Sequence, residues 1–280
     1  MKEFCELRIN NTFRNLLPST IVGKDIGPVT IIKIEKGSSE YQLIREIAEK
    51  VKSKNTESFF YGWSIKRNHS KSEFANATLF HLFMSNVFEP TGEECGTLYD
   101  ETVACAICGA NRKQVSLLTL KKGTIPKKDI ARTIGGEVVV SEKFVNAVRQ
   151  RNLKGLKLSP INIEKYYQLI ANTEIELSPN TIVGINPFDL STNSEGEIYK
   201  CPKGDTLGLN LLSEPSVLYN QSIGEYDFFA SRQKIGVKRG LLRPESIYFC
   251  SSTFKKMIEE DKLSGFEFEI TNIESTLKSR

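Results

Sequence analysis

The segment ECGTLYDETVACAICGANRK, residues 94–113, carries Cys95, Cys105 and Cys108, half of the six cysteines in the chain. Thiols spaced this closely suit a borderline-soft metal ion, zinc above all, whose structural sites take four ligands in a tetrahedron. Cys105-Ala-Ile-Cys108-Gly109 is a CXXCG knuckle. Its spacing lets both thiolates reach one ion, and its glycine lets the backbone fold back on the metal. Glu94-Cys95-Gly96 has the form of the second half of another knuckle, with Gly92 where the first cysteine would stand. The fourth ligand must therefore come from elsewhere. Cys201, in the Cys-Pro-x-Gly turn of YKCPKGDTLG, ranks first. His81 ranks second and the carboxylates of Asp100 or Glu94 third, because thiolate best suits a structural zinc. The expected site is thus Cys95, Cys105, Cys108 and Cys201 around one structural Zn2+.

Other chemistry finds little support. A redox CXXC pair needs a helix N-terminus in βαβ surroundings, which the flanking residues do not supply. A catalytic zinc needs an open position and a general acid or base, and no HExxH occurs. GxSxG, GxxxxGK[ST] and GxGxxG are absent, and His69 and His81 are the only histidines. Asp100, Asp205 and Asp227 could serve an enzyme of unrecognised type, but no spacing marks them out. The chain is therefore read as non-enzymatic. The segment 225–246 joins paired aromatics to Arg232, Lys234, Lys238, Arg239 and Arg243. It is either a nucleic-acid or partner loop, or a strand anchored by Phe228 and Phe229 with its basic residues in water.

The elements that would hold these residues are legible in part. PVTIIKIEKG (28–37) reads as a strand, and the segment from Ser38 as a helix capped by Ser38 or Ser39, with Ile44, Ile47, Ala48 and Val51 on one face. SFFYGWSIKRN (58–68) and TLFHLFMSNVFEP (78–90) read as strands. Trp63 and Cys250 belong to the core, Cys5 carries no distinguishing signal, and His69 belongs to a solvated loop. The polar turn KKGTIPKKD suggests a boundary near residue 124. The expected organisation is an N-terminal α+β part at 1–90, a zinc-knuckle segment at 91–124, and a C-terminal part at 125–280.

The second half holds an internal repeat. SEKFVNAVRQRNLKGLKLSPINIE (141–164) and SSTFKKMIEEDKLSGFEFEITNIE (251–274) align without a gap, with seven of twenty-four positions identical. Ordinary composition predicts roughly one or two. VVV (138–140) and IYF (247–249) are short strands, a serine caps the helix that follows, and Phe144, Ala147 and Val148 match Phe254, Met257 and Ile258 at helical spacing. Gly155 and Gly265 make the turn into the next strand. The first copy carries a net charge of +3 and the second −3. Either surfaces have drifted, or the two faces meet each other or a partner. The fold class is α+β: mixed sheets, two repeated strand–helix–strand units and a small zinc-knuckle element.

At 280 residues, with 39% hydrophobic and 26% charged side chains, the chain can bury a sizeable core. No apolar run is long enough for a membrane helix, and MKEFCELRIN lacks the apolar stretch of a secretory signal, so the cytoplasm is the expected compartment. A net charge of +4 is modest for a dedicated nucleic-acid binder.

The chain resembles the double-CXXCG proteins, known as immunity proteins paired with contact-delivered toxins of myxobacteria. Cys95-Gly96 and Cys105-Ala-Ile-Cys108-Gly109 carry the likeness, with DIARTIGGEVVVSEKF (129–144) and FFASRQKIGVKRGLLRPESIYFCSSTF (228–254). It covers roughly residues 90–280. It implies a zinc-stabilised, non-enzymatic protein that protects its maker by binding a cognate toxin, with Cys95, Cys105 and Cys108 as carried-over ligands. A zinc-containing nucleic-acid-binding protein is the alternative, motivated by the basic residues at 112–128 and 232–243.

Overall fold

The computed structural model describes residues 1–54, 57–188 and 199–275, in a mixed α+β chain that divides into two units. The first comprises Met1–Asn76 with Asn186–Leu190. Its sheet has the order β2 (Gly23–Ile26), β3 (Val29–Glu35), β1 (Lys2–Asn10), β4 (Phe60–Asn68), all antiparallel. Alternation decides its buried face: Cys5, Leu7 and Ile9 of β1 and Ile32 and Ile34 of β3 point inward. Helix α1 (Ser39–Lys54) starts where Ser38 Oγ accepts from the Tyr41 N–H, and it lays Tyr41, Ile44 and Val51 on that face. The Tyr41 hydroxyl donates to the Pro187 carbonyl at 2.6 Å, which ties the returning segment to the same core. A short helix, α2 (Lys71–Asn76), ends the unit.

The second unit, Ala77–Ile185 with Ser191–Arg280, holds every residue of the cysteine argument except Cys5. The division thus falls at Asn76, not at residue 90. The apolar run 78–90 supplies two strands, β5 (Leu79–Met84) and β6 (Val87–Phe88), to two different sheets of this unit. β5 is paired on both edges and buried on both faces, which explains its unbroken apolar sequence. Nor does the chain separate near residue 124: Leu118 and Leu120 pack with Phe88, Ala131, Val139 and Ile161. The segment 91–124 includes the hairpin of β7 (Tyr99–Asp100) and β8 (Lys113–Gln114).

One sheet has the order β11 (Leu156–Pro160), β12 (Tyr166–Ala171), β10 (Val138–Ser141), β9 (Ile130–Thr133), β6. The other has the order β13 (Glu174–Ile175), β18 (Phe228–Ile235), β19 (Glu245–Ser251), β5, β20 (Phe266–Ile270), with β15 (Thr206–Gly208) also on β18. Short pairs β14 (Val183–Gly184) with β16 (Asn210–Leu211) and β17 (Ser216–Leu218) with β21 (Asn272–Glu274) complete the unit, beside the helical turn α4 (Ser222–Glu225). No helix among the described residues is long and apolar enough to cross a membrane.

Helices α3 (Glu142–Arg151) and α5 (Ser252–Glu260) follow β10 and β19. Ser141 and Ser251 cap them, each accepting the third N–H of its helix, from Phe144 and Phe254. β10 and β11 run parallel with antiparallel β12 between them, and β19 and β20 run parallel with antiparallel β5 between them. The two segments also brace each other. Asp129 accepts from the Ser141 hydroxyl and from the Ser264 N–H; Asp227 accepts from the Ser251 hydroxyl and from the Lys154 N–H. A Cβ on Gly155 would stand 2.3 Å from the Phe228 carbonyl oxygen, and one on Gly265 would stand 2.5 Å from that of Ile130. Both glycines have left-handed φ, +91 and +96, so conformation and space each demand glycine there. The oppositely charged segments also meet: Arg151 pairs with Asp261 at 2.6 Å and Glu260 at 3.3 Å, and the rings of Phe144 and Phe254 are 5.9 Å apart.

Candidate metal centre

The hairpin of β7 and β8 turns its inner face to the sheet. The Tyr99 hydroxyl donates to buried Glu137 at 2.5 Å, and Gln114 exchanges amide hydrogen bonds with Gln168. Arg112, buried at the hairpin's end, stacks 3.9 Å from the Tyr99 ring and pairs with Glu93 and Glu101. Glu101 in turn holds Arg243 at 3.0 Å. These charged hydrogen bonds fix the loop that carries Cys105 and Cys108.

Two cysteine turns meet there. Cys105 N–H donates to Ala110 O and Cys201 N–H to Thr206 O, each five residues on and each at 2.8 Å. Within each turn the glycine N–H returns to the cysteine carbonyl, Gly109 to Cys105 at 2.7 Å and Gly204 to Cys201 at 2.9 Å. The result is a group of Cys105, Cys108, Cys201 and Asp205 whose ligand atoms all lie within 4.8 Å of one another. Sγ of Cys105 is 3.8 Å from Sγ of Cys201. Thiolates bound at about 2.3 Å to a tetrahedral ion stand about 3.8 Å apart, so the spacing fits a metal. The four side chains together could hold a metal ion.

The electrostatics agree. Burial opposes ionisation of Cys201, but the Lys203 N–H, the Cys108 thiol, the Asp205 N–H and the Cys105 thiol outweigh it and lower its pKa. Cys108 moves the other way, its pKa raised by burial, although the Thr206 hydroxyl and the Ala110 N–H favour its thiolate. Cys201 is thus the sulfur that ionises more readily, while a metal ion binding here would have to displace the proton that Cys108 retains. Cys5 and Cys250 are inert by comparison: burial holds the Cys5 pKa at about 11 and pushes Cys250 well above its ordinary value.

Of the four expected ligands, the structure brings together Cys105, Cys108 and Cys201 and leaves Cys95 out. Cys95 ends a 3-10 turn, Glu93–Cys95, half-exposed. Thr91 and Glu94 cap that turn reciprocally, Glu94 accepting the Thr91 N–H at 2.7 Å and Thr91 Oγ1 the Glu94 N–H at 3.2 Å. A Cβ on Gly92 would lie 2.6 Å from Leu118 Cδ1 and 2.9 Å from Glu137 Oε1, so a cysteine there would have to displace both side chains. The other candidates also lie elsewhere. His81 is buried in β5 beside Glu269, at 4.0 Å, and the rings of Phe83 and Phe249. Asp100 accepts from the N–H and hydroxyl of Thr102.

Asp205, named above only as a candidate carboxylate of an unrecognised enzyme, joins the three thiols in this group. Its signal was the order Cys201-Pro202-Lys203-Gly204-Asp205, where the turn at Gly204 brings the next side chain back to the thiol. The basic stretch 232–243 is partly absorbed by the fold: Arg232 lies 3.7 Å from Glu176, Lys234 bonds Ser246 at 2.8 Å, and Arg243 is held by Glu101. Compared with protein-family models, with curated proteins and with solved structures, the chain matches none.

Proposed function

We propose that this chain is a zinc-stapled, non-enzymatic binding protein of immunity type, which neutralises a cognate bacterial toxin by stoichiometric binding. The observation that carries the metal part of this reading is the Cys105–Cys201 separation of 3.8 Å within a four-ligand group. Its three sulfurs favour zinc over the hard cations. The ion would join two segments far apart in sequence and leave no protein-free corner, which is the form of a structural site.

The matched elements read as two copies of one unit. The Cys105 turn lies between β6 and β9, and the Cys201 turn between β13 and β18; both pairs of strands are parallel. In this reading each copy contributes one cysteine turn, and the ion ties copy to copy. The carboxylates of Asp129 and Asp227 are engaged by protein donors, which suits a scaffold more than a catalyst.

The toxin partner rests on the resemblance of the cysteine turns and of segments 129–144 and 228–254 to the double-CXXCG proteins. Nucleic acid is the weaker partner, because Arg232, Lys234 and Arg243 already have partners in the fold. The test is co-expression of this protein with the products of neighbouring genes, scoring growth rescue and co-purification. A stable complex that restores growth supports the reading. Absence of a complex with every neighbour-encoded protein overturns it.

A further inference from the structure

The oxygen corner of the centre differs from its sulfur corners in how it is held and in what covers it. Oδ1 of Asp205 accepts a hydrogen bond from Nδ2 of Asn111 at 3.0 Å, while Oδ2 lies 3.9 Å from Sγ of Cys201. Asn111 follows the CXXCG turn in left-handed backbone, φ 67, which a short amide side chain tolerates. A carboxylate with one oxygen tied to an amide offers the other in a fixed direction, as outer-shell partners of metal ligands do.

On the sulfur side, the Thr206 hydroxyl is fully buried and makes no hydrogen bond to oxygen or nitrogen among the described residues. The stem of Lys238 crosses Gly109, with Arg243 beside it, and covers that turn. The carboxylate side is open. A polar cleft of about 560 Å3 is lined by Asn111, Lys203, Gly204, Asp205 and Gln233 among others, and none of the cysteines lines it.

We infer that Asp205 is the fourth ligand, that Asn111 is its positioning residue, and that this carboxylate is the exchangeable corner through which small ligands in the cleft reach the metal. This rests on the metal reading above. A hard oxygen is the poorest of the four donors for a thiophilic ion. Cys105 and Cys108 are half-buried like Asp205, but of the four donors Asp205 alone lines the cleft, so a chelator bound in the cleft meets the ion at the carboxylate.

The test uses the full chain. Cobalt(II) serves as the spectroscopic stand-in for zinc, and zinc is competed away with an anionic chelator. Wild type is compared with Asp205→Cys, Asp205→Ala and Asn111→Gly; glycine keeps the left-handed turn, so only the amide is lost. Asp205→Cys is expected to raise sulfur-to-cobalt charge-transfer absorption by about one third, from three thiolates to four, and to slow release to the chelator. Asn111→Gly is expected to keep that absorption and weaken binding about 10–100-fold, and Asp205→Ala at least as much. Wild-type affinity and release in both Asp205→Ala and Asn111→Gly overturns the inference and leaves a three-thiolate site standing. Wild-type protein that takes up neither cobalt nor zinc overturns the metal reading and the inference together.

Discussion

The sulfurs of Cys105 and Cys201 lie 3.8 Å apart although 96 positions separate the residues in sequence. Such a contact holds in a folded chain only if something outweighs the loop-closure cost, and in the metal reading proposed above a shared ion would do so directly. Removing zinc with a chelator is therefore expected to lower the melting temperature. The loss at saturating zinc is about 3–4 kcal/mol if free metal stands 100–1,000-fold above its dissociation constant. Cys201→Ser and Cys105→Ser should melt near the metal-free wild type and respond little to chelator. Cys95→Ser should behave as wild type. Calorimetric melts with and without chelator check all three, and a Cys95→Ser protein that loses its zinc would restore Cys95 as a ligand.

Gly92 offers a sharper check on the same point. If a cysteine were merely missing there, Gly92→Cys would add a ligand beside Cys95. The space is filled by Leu118, Glu137 and Thr97, so the added side chain must push into the core. Gly92→Cys is expected to destabilise by about 1–3 kcal/mol through overpacking. It should leave the metal content per chain unchanged. Urea unfolding and elemental analysis on the same preparation measure both.

What the sequence revealed, and what it hid, follows from the range of the forces involved. The helices are local: Ser141 and Ser251 stand directly before apolar positions at helical spacing, and the caps form there. The charge reversal between 141–164 and 251–274 is visible in the sequence, and the Arg151–Asp261 pair shows where the two segments meet. The partner of the CXXCG turn was legible as Cys201 because a Cys-Pro-x-Gly turn is itself a local signal. Asp205 was only half legible: the turn at Gly204 is local, but the Asn111 amide that bonds its carboxylate lies across a long sequence gap. That Cys95 stands apart from the group was hidden too, because it depends on which distant segments fold together. The placement of β5 between β19 and β20 cannot be read from an apolar run that would suit any buried strand.

The glycine pair after the helices gives a prediction with a built-in comparison. Gly155 and Gly265 each sit in left-handed backbone against a carbonyl oxygen of the other segment, Phe228 and Ile130. Gly155→Ala and Gly265→Ala should each cost more than the roughly 1 kcal/mol of a strained conformation alone, because backbone cannot yield as a side chain can. Gly204→Ala, at a left-handed glycine with open space around it, should cost only the conformational part. Equal losses at Gly155, Gly265 and Gly204 in urea melts would show that close packing of the segments contributes nothing.

The last prediction concerns acid. Burial alone would raise the Asp129 pKa, but the Ser264 N–H and the hydroxyls of Ser141 and Ser264 donate to it, and the balance lowers it. A carboxylate whose folded pKa lies below its unfolded value, about 3.9, contributes stability that is fully present above that value. The contribution is lost as pH falls through the lower, folded pKa. Asp129→Asn keeps the shape, removes the charge and so removes this dependence. At pH 7 the variant is expected to be less stable than wild type, and the gap should narrow as pH falls below about 4. Urea midpoints for the two proteins from neutral to acidic pH measure it, and taking their difference cancels the other carboxylates. A gap that stays constant over that range would mean that the donors around Asp129 recognise its shape and not its charge.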